Sequence, residues 1–142
     1  MLEPVFRSGD TYAVDPDISR ADALEYWFSA DRVYLAEDTG PLGTFYIRTN
    51  QRGGGRHVCN CGYVTGPGSQ GKGVARQMLE FSLGAAKAMG FTAMQFNFVL
   101  ETNERAVAIW KKAGFNVIGR QPRAFQHPDG TFCDALVMHK FL

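Results

Sequence analysis

One segment of the chain, residues 64–75, reads VTGPGSQGKGVA and stands between a predicted strand and a predicted helix. Its small residues allow the backbone to approach a ligand closely. The first N–H groups of a helix have no internal partners, and the helix dipole places partial positive charge beside them. Lys72 adds a full positive charge. The segment therefore indicates a phosphate or pyrophosphate site, although turns of this composition also occur for structural reasons alone.

Two well-known phosphate-binding patterns do not fit this segment. A P-loop needs a hydroxyl residue directly after its lysine, and here Gly73 follows Lys72. A dinucleotide fingerprint is supplied by Gly66, Gly68 and Gly71, but the acidic ribose partner expected about 20 residues further on is absent. A nucleotide-phosphate binder is therefore kept only as a third hypothesis.

Hydrophobic periodicity and turn residues predict helices and strands that alternate along the chain. The predicted helices span residues 18–30, 74–89 and 104–113, with Ser19 and the Thr102-Asn103 pair as caps. The predicted strands span residues 5–14, 32–37, 42–49, 57–65, 91–100, 115–120 and 131–139, and residues 121–130 form a loop. Gly62 inside a strand indicates a bulge or a close approach to another group. This order predicts one mixed α/β domain over residues 1–142, with a central sheet and helices packed on it.

Two further spacings follow one another along the chain. Residues 70–75 (QGKGVA) match a Q/R-x-x-G-x-G/A loop, and residues 103–115 (NERAVAIWKKAGF) match N-x-x-A-x-x-[LI]-[YW]-x-x-x-G-F. Together the two motifs resemble those of the GNAT superfamily of acyl-CoA-dependent N-acetyltransferases. The likeness covers residues 57–142 well and residues 1–55 only by element order, with one predicted N-terminal helix where the family often has two. It implies a GNAT-like fold, with a central mixed and mostly antiparallel sheet flanked by helices.

The resemblance implies acetyl-CoA as co-substrate and assigns roles along one strand and one loop. The backbone of Tyr63, Val64 and Thr65 would pair with the pantetheine arm. The pyrophosphate would be held by the backbone amides of Gln70, Gly71, Lys72, Gly73, Val74 and Ala75. Asn103 would bond the pantetheine chain, and the N–H at the Val64 end of the strand would stabilise the tetrahedral oxyanion. The reaction would be direct attack of a substrate amine on the thioester, with coenzyme A thiolate leaving.

Trp110 departs from the common family pattern. Many members have tyrosine at this position, placed to protonate the leaving thiolate, and an indole N–H cannot act as that acid. Trp110 is interpreted either as a wall against the acyl-pantetheine or as a helix residue that packs into the core.

Two asparagines, Asn60 and Asn97, stand inside otherwise apolar predicted strands. A buried amide without partners is unfavourable by about 1–3 kcal/mol, so each should be hydrogen-bonded. The resemblance implies that these two strands separate around the thioester, so the amides could bind the amine or carboxylate of the substrate; alternatively, they only bridge the strands. With residues 122–128 (PRAFQHP), they resemble the family branch of the yeast proline-analogue (azetidine-2-carboxylate) N-acetyltransferase.

The predicted function is acetyl transfer from acetyl-CoA to a small-molecule amine, with an amino acid or imino acid analogue as one candidate. The alternative is a non-catalytic acyl-CoA-binding sensor or interaction module, which the loss of a tyrosine acid at Trp110 would permit. The catalytic base is left open among Glu101, His57, His127 and water. Dimers are common in the family, so a homodimer is compatible with the resemblance.

Composition argues against several other functions. The 142 residues carry a net charge of +1 with scattered basic residues, which offers no footprint for nucleic acid or an anionic membrane. No apolar stretch approaches the roughly 20 residues needed to span a bilayer, and residues 1–10 lack signal-peptide features. With three cysteines, this predicts a cytoplasmic protein without a disulfide framework. His57-x-Cys59-x-Cys61 lacks an obvious fourth ligand, so no metal is predicted.

Overall fold

A six-stranded mixed sheet forms the centre of the computed structural model, which describes residues 1–69 and 71–142. The strands are β1 (Arg32–Glu37), β2 (Pro41–Thr49), β3 (Val58–Thr65), β4 (Ala93–Leu100), β5 (Asn116–Gln126) and β6 (Phe132–Phe141). The helices are α1 (Leu2–Ser8), α2 (Arg20–Phe28), α3 (Val74–Ala88) and α4 (Glu104–Lys112), with a 3-10 turn at Gly53–Gly55. In the described part of the chain, no helix combines the length and the apolar character that crossing a membrane requires.

The sheet has the order β1-β2-β3-β4-β6-β5. Neighbouring strands run antiparallel, except that β3 and β4 are parallel. These two strands pair only through Val58 with Ala93 and Cys59 with Met94. Beyond these two pairs the ladder stops, although each strand continues for several residues. The sheet is therefore open at its centre.

Helices cover both faces of the sheet. Side chains alternate between the two faces along each strand. On β2, Phe45 and Ile47 join the larger core under α3 and α4, whereas Tyr46 joins a second cluster with Phe6 of α1 and Trp27 of α2. The mixed, mostly antiparallel sheet with flanking helices is thus confirmed.

Two predicted segments were wrong. Residues 5–14 are not a strand, because α1 occupies the first part: Glu3 lies in its first turn, Arg7 in its last, and Gly9 ends it with φ 64°. The chain therefore has two N-terminal helices. The predicted loop at residues 121–130 is mostly strand, since β5 continues to Gln126 across a register shift between Gln121 and Phe125.

The close approach predicted at Gly62 is confirmed. A Cβ atom built there would lie 2.5 Å from Cε1 of Tyr46, the residue opposite it on β2. The Tyr46 ring is itself held by Trp27, with ring centroids 4.9 Å apart. Only glycine leaves room for this ring at the edge of the opening in the sheet.

Gly62→Ala is expected to destabilise the fold by about 1–3 kcal/mol, because the Tyr46 ring has to move against Trp27. Gly84→Ala is the matched control: Gly84 is an exposed position inside α3 with open space around it, so alanine should stabilise by about 0.5–1 kcal/mol. Urea unfolding curves measure both. A neutral or stabilising Gly62→Ala would contradict the close contact.

Candidate active site

A cavity of about 620 Å³ opens where β3 and β4 are unpaired. Residues of both strands line it, together with the beginnings of α3 and α4. A second group of lining side chains comes from α2, from β2 and from the segment after α1, among them Tyr12, Tyr26, Tyr46, Arg48 and Asn50. The cavity thus connects the cofactor loop predicted from the sequence with a polar surface on the α1/α2 side of the sheet.

The register of β3 decides which of its backbone groups face the opening. Gly66 N donates to Leu42 O at 2.8 Å, and Val64 lies opposite Thr44 two positions earlier. Alternate residues of an antiparallel strand bond to the same neighbour, so Val64 directs its own N–H to β2. This corrects the expectation that the Val64 N–H faces the thioester. The N–H groups on the open side beyond the ladder are those of Cys61, Tyr63 and Thr65.

The loop before α3 leaves the N-terminus of the helix without a side-chain cap in the described part of the chain. Gly73 is the N-cap of α3 with φ 71°, and among the described residues no side chain caps this helix. By contrast, Ser19 caps α2 and Asn103 caps α4 through their side chains. The first N–H groups of α3 are consequently available to a ligand, next to the positive end of the helix dipole.

The predicted loop residues differ in their position relative to the cavity. Gly73, Val74 and Ala75 line it. Gly71 and Lys72 are exposed and lie outside its lining. Gln70 lies outside the described residues. The described part of the loop therefore places the α3 N-terminus, rather than the lysine, at the cavity.

Trp110 and Asn103 both line the cavity from α4. The Trp110 ring is 8% exposed and packs 5.1 Å from the Tyr63 ring and 5.0 Å from the Phe96 ring, so it is at once a core residue and a cavity wall. The side-chain Oδ1 of Asn103 accepts from Ala106 N at 3.2 Å.

The two asparagines predicted from the strands reach the cavity in different ways. Asn60 is half-buried and bridges the strands, donating to Gln95 O of β4 at 2.9 Å. Asn97 is exposed rather than buried, which corrects the expectation from its apolar neighbours. Its side-chain Nδ2 donates to Oδ1 of Asn50 at 2.6 Å, and its Oδ1 accepts from Gln95 Nε2 at 2.9 Å. Both side chains line the cavity.

Sequence reasoning missed the tyrosines and Arg48 on the α1/α2 side. The Tyr12 hydroxyl donates to Tyr63 O at 3.0 Å. The Tyr46 hydroxyl donates to Oδ1 of the Asn60 side chain at 3.4 Å. Burial raises the pKa of both hydroxyls, so they stay protonated and act as hydrogen-bond donors. A charged residue in the apolar run FYIRT was the available signal for Arg48.

Comparison with known proteins identifies this arrangement. The acetyltransferase (GNAT) family model matches residues 3–115, which is most of the chain. The chain belongs to this family. N-acetyltransferase aca1 of Schizosaccharomyces pombe is 29% identical to it over 78% of this chain. The chain spans 62% of that relative's length.

Solved structures of other GNAT proteins share the fold. A GCN5-related N-acetyltransferase from Kribbella flavida is 34% identical and has a TM-score of 0.92, covering 99% of this chain and 87% of that one. A phosphinothricin acetyltransferase from Sinorhizobium meliloti, in complex with acetyl-CoA, has a TM-score of 0.86 at 17% identity, covering 99% of this chain and 78% of that one. Acetyl-CoA is the co-substrate of the family.

The base candidates of this GNAT chain lie away from the cavity. Glu101 accepts from both ends of the Arg120 guanidinium, at 2.6 and 2.7 Å. The His57 ring nitrogen lies 3.1 Å from Gly54 O, and the His127 ring nitrogen 3.4 Å from the Thr102 hydroxyl. Among the residues that the structure describes, the cavity lining contains no Asp, Glu or His.

Glu101→Gln is expected to retain acetyl-transfer activity, with kcat/KM within about twofold and an unchanged pH profile, because the carboxylate is paired with Arg120 outside the cavity. Asp134→Asn is the matched control, since Asp134 accepts from the same guanidinium at 2.9 Å. Steady-state kinetics over a pH series measure both. A selective loss of about 100-fold in the Glu101 variant would identify it as the base instead.

Proposed function

We propose that residues 1–142 form one N-acetyltransferase domain that transfers an acetyl group from acetyl-CoA to a small-molecule amine. The observation that carries the proposal is the unpaired segment of β3 and β4 beside an α3 N-terminus that no described side chain caps. Backbone N–H groups of a strand can bind an extended amide-containing chain, and those of a helix N-terminus can bind phosphate. Acetyl-CoA carries both groups.

The described residues have separate tasks in this function. The backbone at Tyr63 and Thr65 binds the pantetheine arm, and Asn103 contributes an amide to it. The N-terminus of α3 from Gly73 onward binds the pyrophosphate, with Arg76 and Arg105 as further cations in the lining. Trp110 closes one side of the channel.

The transfer itself needs a neutral amine and a fixed donor for the carbonyl oxygen. The amine nitrogen forms a bond to the thioester carbonyl carbon while the carbon–sulfur bond breaks, and the electron pair leaves with the sulfur. The nitrogen loses a proton to solvent, and the thiolate takes one up from solvent. A backbone N–H of Tyr63 or Thr65 stabilises the oxyanion. Trp110 supplies no acid, so this balance depends on solvent rather than on a tyrosine at that position.

Three finer assignments belong to the same proposal. Asn60 and Asn97 contact the acceptor from opposite sides of the cavity. The chain lies near the branch that acetylates azetidine-2-carboxylate, as the asparagine pattern suggests. The protein acts in the cytoplasm, and a homodimer is compatible with the family resemblance.

Acetyl-CoA is expected to raise the melting temperature, whereas ATP and NAD are not. A ligand that binds only the native state, at 100 times its Kd, stabilises by about 2.7 kcal/mol. Differential scanning fluorimetry with the three compounds measures this. A release assay for free thiol with an amine panel then separates an enzyme from a non-catalytic acyl-CoA binder. The absence of any shift at millimolar acetyl-CoA would contradict the proposed cofactor site.

Gly73→Asp is expected to weaken acetyl-CoA binding by about tenfold relative to Gly73→Asn, or about 1.4 kcal/mol. Both residues tolerate the positive φ at this position better than other side chains do and are nearly equal in size, so they differ mainly in charge. Because a carboxylate favours a helix N-terminus, the Asp variant should melt no lower than the Asn variant. Titration calorimetry and melting curves give the two readouts. Equal affinities of the two variants for acetyl-CoA would contradict the binding of its pyrophosphate at the N-terminus of α3.

A further inference from the structure

Arg48 lines the cavity, and the hydrogen bonds in the described part of the chain use only part of its guanidinium. Its Nη2 donates to Tyr26 O at 2.6 Å and to the Ser29 hydroxyl at 3.2 Å, which ties β2 to the end of α2. Its Nε is buried and has no hydrogen-bond partner in the described part of the chain. Buried donors in native proteins almost always have an acceptor, and a charged one needs it most. The described residues therefore leave the guanidinium with spare donor capacity beside the cavity.

Arg48 also has no counter-charge of its own. Within the described residues it forms no ion pair, and the carboxylate of the nearby Asp31 accepts from the Thr49 amide and hydroxyl at 2.6 and 2.7 Å. Aromatic rings cover the guanidinium, whose carbon lies 4.9 Å from the Tyr46 ring centroid and 5.6 Å from that of Tyr26. A partly desolvated cation of this kind attracts an anion strongly.

The position of Arg48 puts that anion beside the reacting groups. Arg48 pairs directly with Asn60 across β2 and β3, so the two side chains are neighbours on one face of the sheet. Asn60 in turn contacts β4 at the point where the strands separate. The amides of Asn50 and Asn97 lie in the same cavity and are joined at 2.6 Å. An acceptor held at Arg48 therefore lies next to the opening that receives the thioester.

We propose that Arg48 binds the carboxylate of the acceptor, so that this chain acetylates amines that carry a carboxylate close to the nitrogen, such as α-amino and imino acids. The proposal rests on the proposed function and names the substrate class of the same site. The carboxylate pairs with the guanidinium of Arg48 from the cavity side. Polyamines and other polycationic acceptors are disfavoured, because the described cavity lining offers them a guanidinium and no carboxylate.

Substrate pairs that differ only in the carboxylate test this assignment. Thiol release is measured for the common amino acids and cyclic imino acids, each compared with its primary amide, and for spermidine. The wild type is expected to prefer the acid over the amide by about tenfold or more in kcat/KM, and to leave spermidine unreacted. Equal rates with an acid and its amide, or a preference for spermidine, would overturn the proposal.

Three variants separate carboxylate binding from a structural role of Arg48. Arg48→Gln should lower kcat/KM for the acid by at least about tenfold, mainly through KM, and lower that for the amide much less, so that the preference for the acid is lost. Arg48→Lys should recover part of the preference, since it restores the charge. Ser29→Ala removes one contact of the guanidinium but keeps the cation, so it should retain the full preference. A merely structural Arg48 would affect acid and amide equally.

Two controls distinguish the failure of this inference from failure of the proposed function. Acetyl-CoA affinity should be the same in the wild type and in Arg48→Gln, and its absence in the wild type would reject the proposed function itself. If acetyl-CoA binds but no amine releases thiol, titration calorimetry measures whether amino acids bind to the complex with coenzyme A, in the wild type and in Arg48→Gln. Binding that depends on Arg48 supports the carboxylate site, and no binding overturns it.

Discussion

The structure depends on the early end of the parallel ladder between β3 and β4. Backbone N–H and C=O groups in the middle of a sheet need partners, and two neighbouring strands normally supply them to each other. Here the ladder stops after Cys59 and Met94, and the Asn60 side chain takes Gln95 O where the next backbone pair would be. The groups beyond that point remain for a ligand. In the proposed function, a cofactor that pairs with β3 occupies the place of the missing backbone partners.

The opening between β3 and β4 also determines where the glycine loop and the N-terminus of α3 lie relative to the cavity. The chain passes from the end of β3 at Thr65 to the start of α3 at Val74, so the helix N-terminus lies beside the same opening. Trp110 fills the opposite wall by packing on Tyr63 and Phe96. The strand, the helix end and the indole thus line one extended cavity.

The parts of the fold that sequence could predict are those encoded locally. The cap residue Ser19, the glycine loop and the signature at residues 103–115 each act within a few residues, and each predicted helix begins within about two residues of the observed one. The short helix α1 was not predicted because seven residues show too little hydrophobic periodicity. Its stability comes from the packing of Phe6 against Trp27, which the local sequence does not reveal. The extension of β5 beyond Arg120 was not predicted because the residues of the bulge around Pro122 are typical of a turn.

The side of the cavity that faces α1 and α2 could not be predicted from the sequence for a different reason. Tyr12, Tyr26, Arg48 and Asn50 come from separate segments, and only the packing of α1 and α2 on the sheet brings them together. The exposure of Asn97 likewise depends on the interrupted register between Phe96 and Val99, which the apolar pattern of β4 does not reveal.

The distribution of ionisable groups sets how protons move in this cavity. The tyrosine hydroxyls of Tyr12 and Tyr46 have raised pKa values because they are buried, so near neutral pH they donate hydrogen bonds and do not accept protons. Glu101 is held by Arg120 outside the lining. The described lining thus holds no carboxylate or imidazole to take a proton, and in the proposed function the amine loses its proton to water. A cation at Arg48 assists this step, because positive charge nearby disfavours the ammonium form and favours the neutral nucleophile. The residue that selects a carboxylate would thus also help to prepare the nitrogen beside it.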